Sequence, residues 1–300
     1  MSESARPAVL GQNQYGKAET RVVRITRDGA VHHLKDLSVS VALSGRMEEV
    51  HLRGSNTHVL TTDTTKNTVF AFAKQHGIAS AEEFGILLAR HFVSSQSAIS
   101  TARIRIEEYA WERVDAPGCG TARHSFVRSG QETRTAQITF DGERLEIVAG
   151  LKGLVVLNST GSEFHGYIKD RYTTLKETTD RVLATEVNAR WRYGRTDADW
   201  DACYRGTREL LLHAFAETYS YSLQQTLYAM GSRVIGQRPE VEEIRLSLPN
   251  KHHFLVDLAP FGLKNDNEVY YVADRPYGLI EATVLREGAE PGIPVDLTNL

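Results

Sequence analysis

The sequence lacks the short motifs that mark most metal- and nucleotide-dependent enzymes. It contains no glycine-rich phosphate loop, no dinucleotide-binding fingerprint, no His-Glu-x-x-His, no paired Cys-x-x-Cys and no Gly-x-Ser-x-Gly nucleophile elbow. Its two cysteines, Cys119 and Cys203, are too few and too far apart for a disulfide framework or a Cys-based metal site. We expect both to be ordinary thiols, and any enzymatic activity must proceed without a recognisable metal, nucleotide or flavin site.

The sequence also lacks an excess of positive charge and any long apolar run. Its 35 Lys and Arg against 38 Asp and Glu give a formal net charge of −3, which argues against nucleic acid as the main partner. No run approaches the ~18 apolar residues that span a bilayer. Residues 1–7 lack the apolar core of a signal peptide, and Thr298-Asn299-Leu300 is not a Ser-Lys-Leu peroxisomal address. These absences favour a globular protein of a bacterial cytoplasm.

The first half of the sequence predicts a hairpin, helices and further strands, in that order. Asp28-Gly29 lies between two runs rich in β-branched residues, which is a strong hairpin signal. Ser80 and Glu83 form a capping box, so a helix is predicted to begin there. The predicted elements are strands over 22–27 and 31–42, helices over 65–75 and from about 81, and strands over 99–114 and 134–140.

The second half repeats this order. Leu223, Leu227, Met230 and Val234 lie on one helical stripe, and Pro239 separates that helix from the strands that follow. The predicted elements are a strand over 145–157, helices over 199–218 and from about 222, and strands over 241–248, 254–258, 268–273 and 279–285. The doubled order predicts two related α+β halves, 1–141 and 142–300.

Polar residues near predicted element starts in the first half allow two interpretations each. Lys17, beside Gly16, is by default solvated, but a desolvated lysine with a lowered pKa can accept a proton. Thr61, Thr62 and Asp63 precede a predicted helix, where Thr and Asp usually act as N-caps. Free N–H groups at a helix start can instead bind an anion, and a threonine hydroxyl can pass a proton.

The second half offers an aromatic ring, a guanidinium and an amide with similar ambiguity. Phe164 is by default a core residue, and the alternative is a stacking platform. Arg181 is by default a surface ion-pair partner, and the alternative is a planar grip on a flat anion. Gln224 is, on pattern alone, a helix-terminus residue.

Two adjacent histidines follow Asn250 and Lys251 at a predicted strand junction. Histidine is a common metal ligand. Neighbouring residues of a strand point to opposite faces, however, so His252 and His253 cannot easily share one ion. The simple interpretation directs one ring inward and the other outward.

Together these segments resemble urate oxidase, in the same order along nearly the whole chain, from about residue 11 to about 281. The matching segments are Tyr15-Gly16-Lys17, Thr62-Asp63 with Lys66-Asn67-Thr68, Ser162-Glu163-Phe164, the run 172–181, Gln224 with Thr226 and Tyr228, 247–252, and Asp274-Arg275-Pro276-Tyr277-Gly278. The first six of these segments, found in order, are specific, whereas any one alone is modest support. The resemblance implies an α+β fold of two tandem ββααββ units, whose antiparallel sheets join between subunits into a barrel with helices outside.

The resemblance also implies the chemistry and the assembly. Members of that family oxidise urate with dioxygen and water to 5-hydroxyisourate and hydrogen peroxide, without a metal or an organic cofactor. They work as homotetramers with active sites at subunit interfaces. A doubly deprotonated urate is electron-rich, so the protein has only to hold the planar anion, remove a proton and position dioxygen.

Carried over residue by residue, the resemblance assigns each candidate a role. Binding of urate is assigned to Phe164, Arg181, the backbone of Leu223, Gln224, Asn250, and Thr62 with Asp63 of a neighbouring subunit. A proton relay is assigned to Lys17, Thr62 and His252, and His253 is assigned a structural role. Leu223 departs from the smaller apolar residue expected there, which a backbone contact tolerates.

Two rival functions remain open at this point. A pterin- or purine-binding relative built on the same unit would hold the ring with a glutamate and often a zinc ion, for which no His/Cys cluster is present. A catalytically inactive homologue is the second rival. The joint presence of Lys17, Thr62 and His252 argues against it.

Overall fold

The computed structural model describes residues 6–116, 120–273 and 275–295. Cys119, Asp274 and the final residues 296–300, which enter the sequence-based expectations, lie outside the described residues. The chain divides into two compact units: unit 1 comprises Met1–Ser129 with Thr135–Ile147, and unit 2 comprises Gly130–Arg134 with Val148–Leu300. Within the described ranges, no helix combines the length and the apolar character needed to cross a membrane.

Unit 1 combines an antiparallel sheet with three helices. Its elements are β1 (Tyr15–Asp28), β2 (Val31–Gly45), α1 (Glu48–Arg53), α2 (Thr62–Gln75), α3 (Ala81–Ser95), β3 (Ile99–Glu108), β4 (Trp111–Ala116), β5 (Gly120–Arg128) and β6 (Thr133–Phe140). The strand order is β1-β2-β3-β6, and β4 and β5 form a separate hairpin. The β1–β2 turn has Gly29 at φ 55°, which a residue with a side chain rarely adopts.

Helix α3 covers the sheet of unit 1. Fully buried side chains on β2 and on one stripe of α3 form this core: Leu37, Val39, Leu43, Phe84, Leu88 and Phe92. Burial of each such side chain stabilises the fold by roughly 1.5–3 kcal/mol. Gly85 allows the close approach, because a Cβ there would lie 2.5 Å from the Cδ1 atom of Ile138.

Unit 2 repeats the arrangement. Its elements are β7 (Leu145–Asn158), β8 (Leu183–Tyr193), α4 (Trp200–Glu217), α5 (Leu223–Gln237), β9 (Val241–Pro249), β10 (His252–Leu255), β11 (Tyr270–Ala273) and β12 (Leu279–Leu285). The strand order is β7-β8-β9-β12, with β10 and β11 as a separate hairpin. Asp199 caps α4 by accepting from the Ala202 N–H at 2.9 Å, and Ser222 caps α5 by accepting from the Gln225 N–H at 3.2 Å.

The predicted α+β class and the doubled ββααββ order are confirmed. Each unit also carries a small hairpin inserted between its third and fourth sheet strands.

The prediction of one strand over 99–114 was wrong. The chain leaves the sheet after Glu108, where the Tyr109 N–H donates to the Asp36 carbonyl at 2.9 Å, and it resumes as β4. The strand expected over 254–258 begins earlier, at His252, and ends at Leu255. The prediction omitted β5 and β8, although β8 alternates buried and half-buried residues from Val187 onwards.

Candidate active site

In unit 2 a short backbone ladder fixes the ring of Phe164. The Phe164 N–H donates to the Thr178 carbonyl at 2.8 Å, and the Thr178 N–H donates back at 3.1 Å. The Tyr167 ring stacks on Phe164 with centroids 5.0 Å apart. Phe164 is therefore held by a local β-bridge outside the main sheet, and it is not a core residue.

The guanidinium of Arg181 lies against this ring. Its central carbon is 5.1 Å from the Phe164 ring centroid. The Arg181 backbone N–H donates to the Ser162 carbonyl at 2.9 Å, and its Nε–H donates to the Ser162 hydroxyl at 3.1 Å. Burial lowers the pKa of Arg181 from its ordinary value. A desolvated cation beside an aromatic ring is a suitable partner for a flat anion.

The start of α5 is joined to the same segment. Ser162 forms a parallel bridge with Ser220, and the Glu163 N–H donates to the Ser220 carbonyl at 2.9 Å. Ser222 then caps the helix, whose first residues are the buried Leu223 and the exposed Gln224. The structure thus brings together Phe164, Arg181 and a helix N-terminus, whose N–H groups carry partial positive charge.

Asn250 and His252 follow the end of β9. The Asn250 N–H donates to the Gly278 carbonyl at 2.8 Å, and the Lys251 N–H donates to the Ala184 carbonyl at 2.8 Å. Burial lowers the pKa of His252, and electrostatic interactions with Arg181 and His253 lower it further. His252 is therefore in the electrostatic range of Arg181, and its surroundings favour the neutral imidazole.

His253 takes part in a local contact. Its Nδ1 atom lies 3.0 Å from the Lys251 carbonyl oxygen. Among the residues that the structure describes, no group of three His, Cys, Asp or Glu is placed to hold a metal ion.

In unit 1 the start of β1 is tied to the loop before α2. The Tyr15 hydroxyl accepts from the Leu60 N–H at 2.9 Å, and burial raises the pKa of Tyr15. Two residues later Lys17 begins a bulge that ends at Thr20. Gly16, between Tyr15 and Lys17, cannot carry a side chain, because a Cβ there would lie 1.8 Å from the Val41 carbonyl oxygen. The hydrogen bond between Tyr15 and Leu60 places Lys17 near the start of α2.

Thr62 and Asp63 are the first residues of α2, and neither is its N-cap. Thr61 supplies the cap by accepting from the Thr64 N–H at 3.1 Å. The Asp63 carboxylate is held by Lys66 at 2.6 Å and Asn67 at 3.0 Å. Lys66 is the main cause that lowers the pKa of Asp63, and Lys17 contributes to the same shift. The N-cap predicted for the Thr-Thr-Asp segment is therefore confirmed at Thr61, whereas Thr62 and Asp63 belong to the first turn of the helix.

Three buried hydroxyl residues in unit 2 escaped the sequence-based assignment of roles. Ser162, Ser220 and Thr226 are all 0% exposed, and they connect the Arg181 segment to α5. Serine and threonine in loops are usually solvated, so composition gave no signal. Their burial is visible only once the bridge between residues 162 and 220 is formed.

The fold and these residues define a protein of two ββααββ units with a cationic and aromatic site suited to a flat anionic ring. The Uricase family model matches residues 13–139 and 147–281. Uricase of Arthrobacter globiformis is 54% identical over 287 residues, covering 96% of this chain and 93% of that protein. Uricase of Dictyostelium discoideum is 36% identical and covers 93% and 98%, respectively. The crystal structure of the Arthrobacter globiformis uricase superposes with a TM-score of 0.92 at 53% identity, covering 96% of this chain and 99% of that one. The chain therefore belongs to the Uricase family.

Proposed function

We propose that this protein oxidises urate with dioxygen and water, giving 5-hydroxyisourate and hydrogen peroxide. The observation that carries the proposal is the Arg181 guanidinium, held by Ser162 against the Phe164 ring beside the start of α5. Membership of the Uricase family supports it. Two electrons pass from urate to dioxygen, which leaves as peroxide, and water supplies the hydroxyl group.

The unit 2 residues bind the ring in this proposal. Phe164 stacks on the purine face, and Arg181 and Gln224 grip opposite edges. The backbone N–H of Leu223 donates to a ring oxygen, as helix N-termini do to anions. Asn250 lies above the ring plane, where dioxygen or water is held. Such positioning supplies orientation and charge stabilisation, and the proposal includes no metal or organic cofactor.

Lys17, Thr62 and His252 form the proton relay. An isolated lysine has a pKa near 10.4 and is charged at neutral pH, so Lys17 needs neighbouring groups to accept a proton. Thr62 can both donate and accept. His252 is suited to set the charge state of Lys17, because its lowered pKa favours the neutral imidazole, which can accept a proton.

The assembly and the location are part of the same proposal. We propose a homotetramer in which Thr62 and Asp63 of one subunit close the urate site of another. Residues 1–141 and 142–300 act as the two repeat units, and the protein works in the cytoplasm.

The direct test follows urate absorbance in the near ultraviolet with purified protein, dioxygen and a metal chelator. Steady decay with release of one hydrogen peroxide for each urate is expected. Binding without decay would favour a purine-binding or inactive homologue. Arg181→Ala is the control variant, and in it both urate binding and decay should be strongly reduced.

A further inference from the structure

A buried serine accepts a hydrogen bond from the Nε atom of Arg181. The Arg181 Nε–H donates to the Ser162 hydroxyl at 3.1 Å, and Ser162 is 0% exposed. The Arg181 backbone also donates to the Ser162 carbonyl at 2.9 Å. A guanidinium is planar, so a bond at Nε together with a fixed backbone restricts the plane and leaves the Nη1–Nη2 edge for another partner.

Ser162 belongs to a larger buried polar cluster. It pairs with Ser220 in a parallel bridge, and the Thr226 hydroxyl donates to the Ser220 hydroxyl at 2.8 Å. Thr226 is on the first turn of α5, which begins with Leu223 and Gln224. The cluster therefore links the anchor of Arg181 to the helix that carries the opposite side of the proposed ring site.

Burial of a hydroxyl is unfavourable unless it is hydrogen-bonded. The Ser162 hydroxyl accepts its hydrogen bond from a charged donor, and such bonds are stronger than bonds between neutral groups. The buried Ser162 hydroxyl therefore acts as an acceptor for the Arg181 guanidinium.

We propose that Ser162 is a positioning residue that fixes the plane of the Arg181 guanidinium, so that Nη1 and Nη2 meet a carbonyl oxygen and an adjacent ring nitrogen of a flat purine. The inference rests on the proposed function, which supplies such an edge in urate. Without Ser162 the long side chain samples more rotamers, and part of its ordering has to occur on binding. Ser162 thereby contributes to affinity and to selection of purines that present this edge.

The test compares Ser162→Ala with the wild-type protein, using xanthine as a flat purine that carries the same edge and is titrated by calorimetry. The expected result is a rise in the dissociation constant of about tenfold, the size typical of one lost hydrogen bond to a charged group. KM for urate should rise by a similar factor, with kcat nearly unchanged. Ser162→Cys, which keeps the size but is a weak acceptor, should give the same split if Ser162→Ala folds poorly.

A double-mutant cycle separates positioning from a purely structural role. Arg181→Lys removes the Nε–H, so Ser162→Ala should have no further effect on xanthine affinity in that background. Ser80→Ala is the matched control, because it also removes a buried hydroxyl with one 3.1 Å hydrogen bond, at the start of α3. It should lower thermal stability without changing xanthine affinity or KM.

Two results would overturn the inference: equal weakening by Ser162→Ala in both backgrounds, or unchanged affinity in the wild-type background. Xanthine binding does not depend on oxidation. A wild-type protein that binds xanthine but leaves urate intact would therefore contradict the proposed function alone. A wild-type protein that binds neither purine would contradict both.

Discussion

Helices α3 and α5 occupy the same place in the two ββααββ units, yet their first turns differ. Each is capped by a serine, Ser80 in unit 1 and Ser222 in unit 2. The second helical residue is Glu82 in α3, which is 0% exposed, and Gln224 in α5, which is exposed. A carboxylate in the first turn lies in the positive field of the helix N–H groups. In unit 1 the start of α3 therefore carries its own acidic side chain, Glu82. In unit 2 the first turn of α5 carries none, so its N–H groups are open to a bound anion.

The difference indicates a division of labour between the repeats. In the proposed site of unit 2, the open helix start, Phe164 and Arg181 bind the flat anion. In unit 1 the candidate residues are on other elements: Lys17 on β1, and Thr62 at the start of α2, which is near Lys17 as the pKa of Asp63 indicates. We infer that unit 2 supplies most of the ring-binding residues, whereas unit 1 supplies Lys17 and Thr62 for proton transfer, which His252 of unit 2 completes.

The largest expected effect comes from Lys17→Met. If unit 1 serves proton transfer, turnover of urate should fall by about two to four orders of magnitude, the range for loss of a general acid–base group. Xanthine affinity should stay within about twofold of wild type, because the unit 2 residues that bind the ring are unchanged. Stopped-flow absorbance and calorimetry measure the two quantities. Near-normal turnover of urate would contradict a role for Lys17 in the relay. A large loss of xanthine affinity would contradict the assignment of ring binding to unit 2.

A reciprocal exchange tests the two helix starts directly. Gln224→Glu places an acid at the exposed start of α5, where it repels a bound anion, so the dissociation constant for urate analogues should rise at least about tenfold. Thermal stability should hardly change, because the side chain is exposed. Glu82→Gln should do the reverse: it replaces a fully buried carboxylate by an amide, lowering the stability of unit 1 by about 1–3 kcal/mol without affecting analogue affinity.

Differential scanning fluorimetry and calorimetry on both variants measure this exchange. Should Glu82→Gln weaken ligand binding as much as Gln224→Glu, the two helix starts would share a function and the contrast between the units would be wrong.

Much of the fold could be predicted from sequence because local signals repeat. Asp28-Gly29 defined the first hairpin, Ser80 with Glu83 began α3, and Asp199 and Ser222 began α4 and α5. These are short-range patterns, in which a turn or a cap depends on residues three or four apart. The break after Glu108 escaped prediction because it depends on the long-range contact from Tyr109 to Asp36.

The site residues, too, divide into those that the sequence could assign and those that depend on long-range contacts. Phe164, Arg181 and Gln224 could be named from the resemblance, since their types suit a flat anion. Ser162 and Ser220 received no role, because their burial depends on a bridge between segments nearly sixty residues apart. Likewise the sequence places Thr61, Thr62 and Asp63 before a helix, and only the helix geometry shows that Thr61 is the cap.

The smallest expected effect concerns the proton affinity of His252. Its pKa lies below the ordinary 6.5 because of burial first and the Arg181 charge second. As pH falls, the unfolded chain therefore takes up this proton before the folded one. The stabilisation from neutral His252 is present above about pH 6.5 and is lost as pH falls through the lowered folded pKa. In ¹³C-histidine NMR, with His252→Gln to assign the signal, the midpoint should be below 6.5.

Arg181→Ala should raise that midpoint and still leave it below 6.5, because burial, the larger cause, remains. Arg233→Ala is the matched control: it removes another positive charge of unit 2, which pairs with Glu217 and is not among the causes that shift the pKa of His252. A midpoint that does not respond to Arg181→Ala, or that responds equally to Arg233→Ala, would mean that His252 does not sense Arg181. The ring-binding cation and the relay histidine would then be independent, and unit 2 would contribute to proton transfer only through the burial of its histidine.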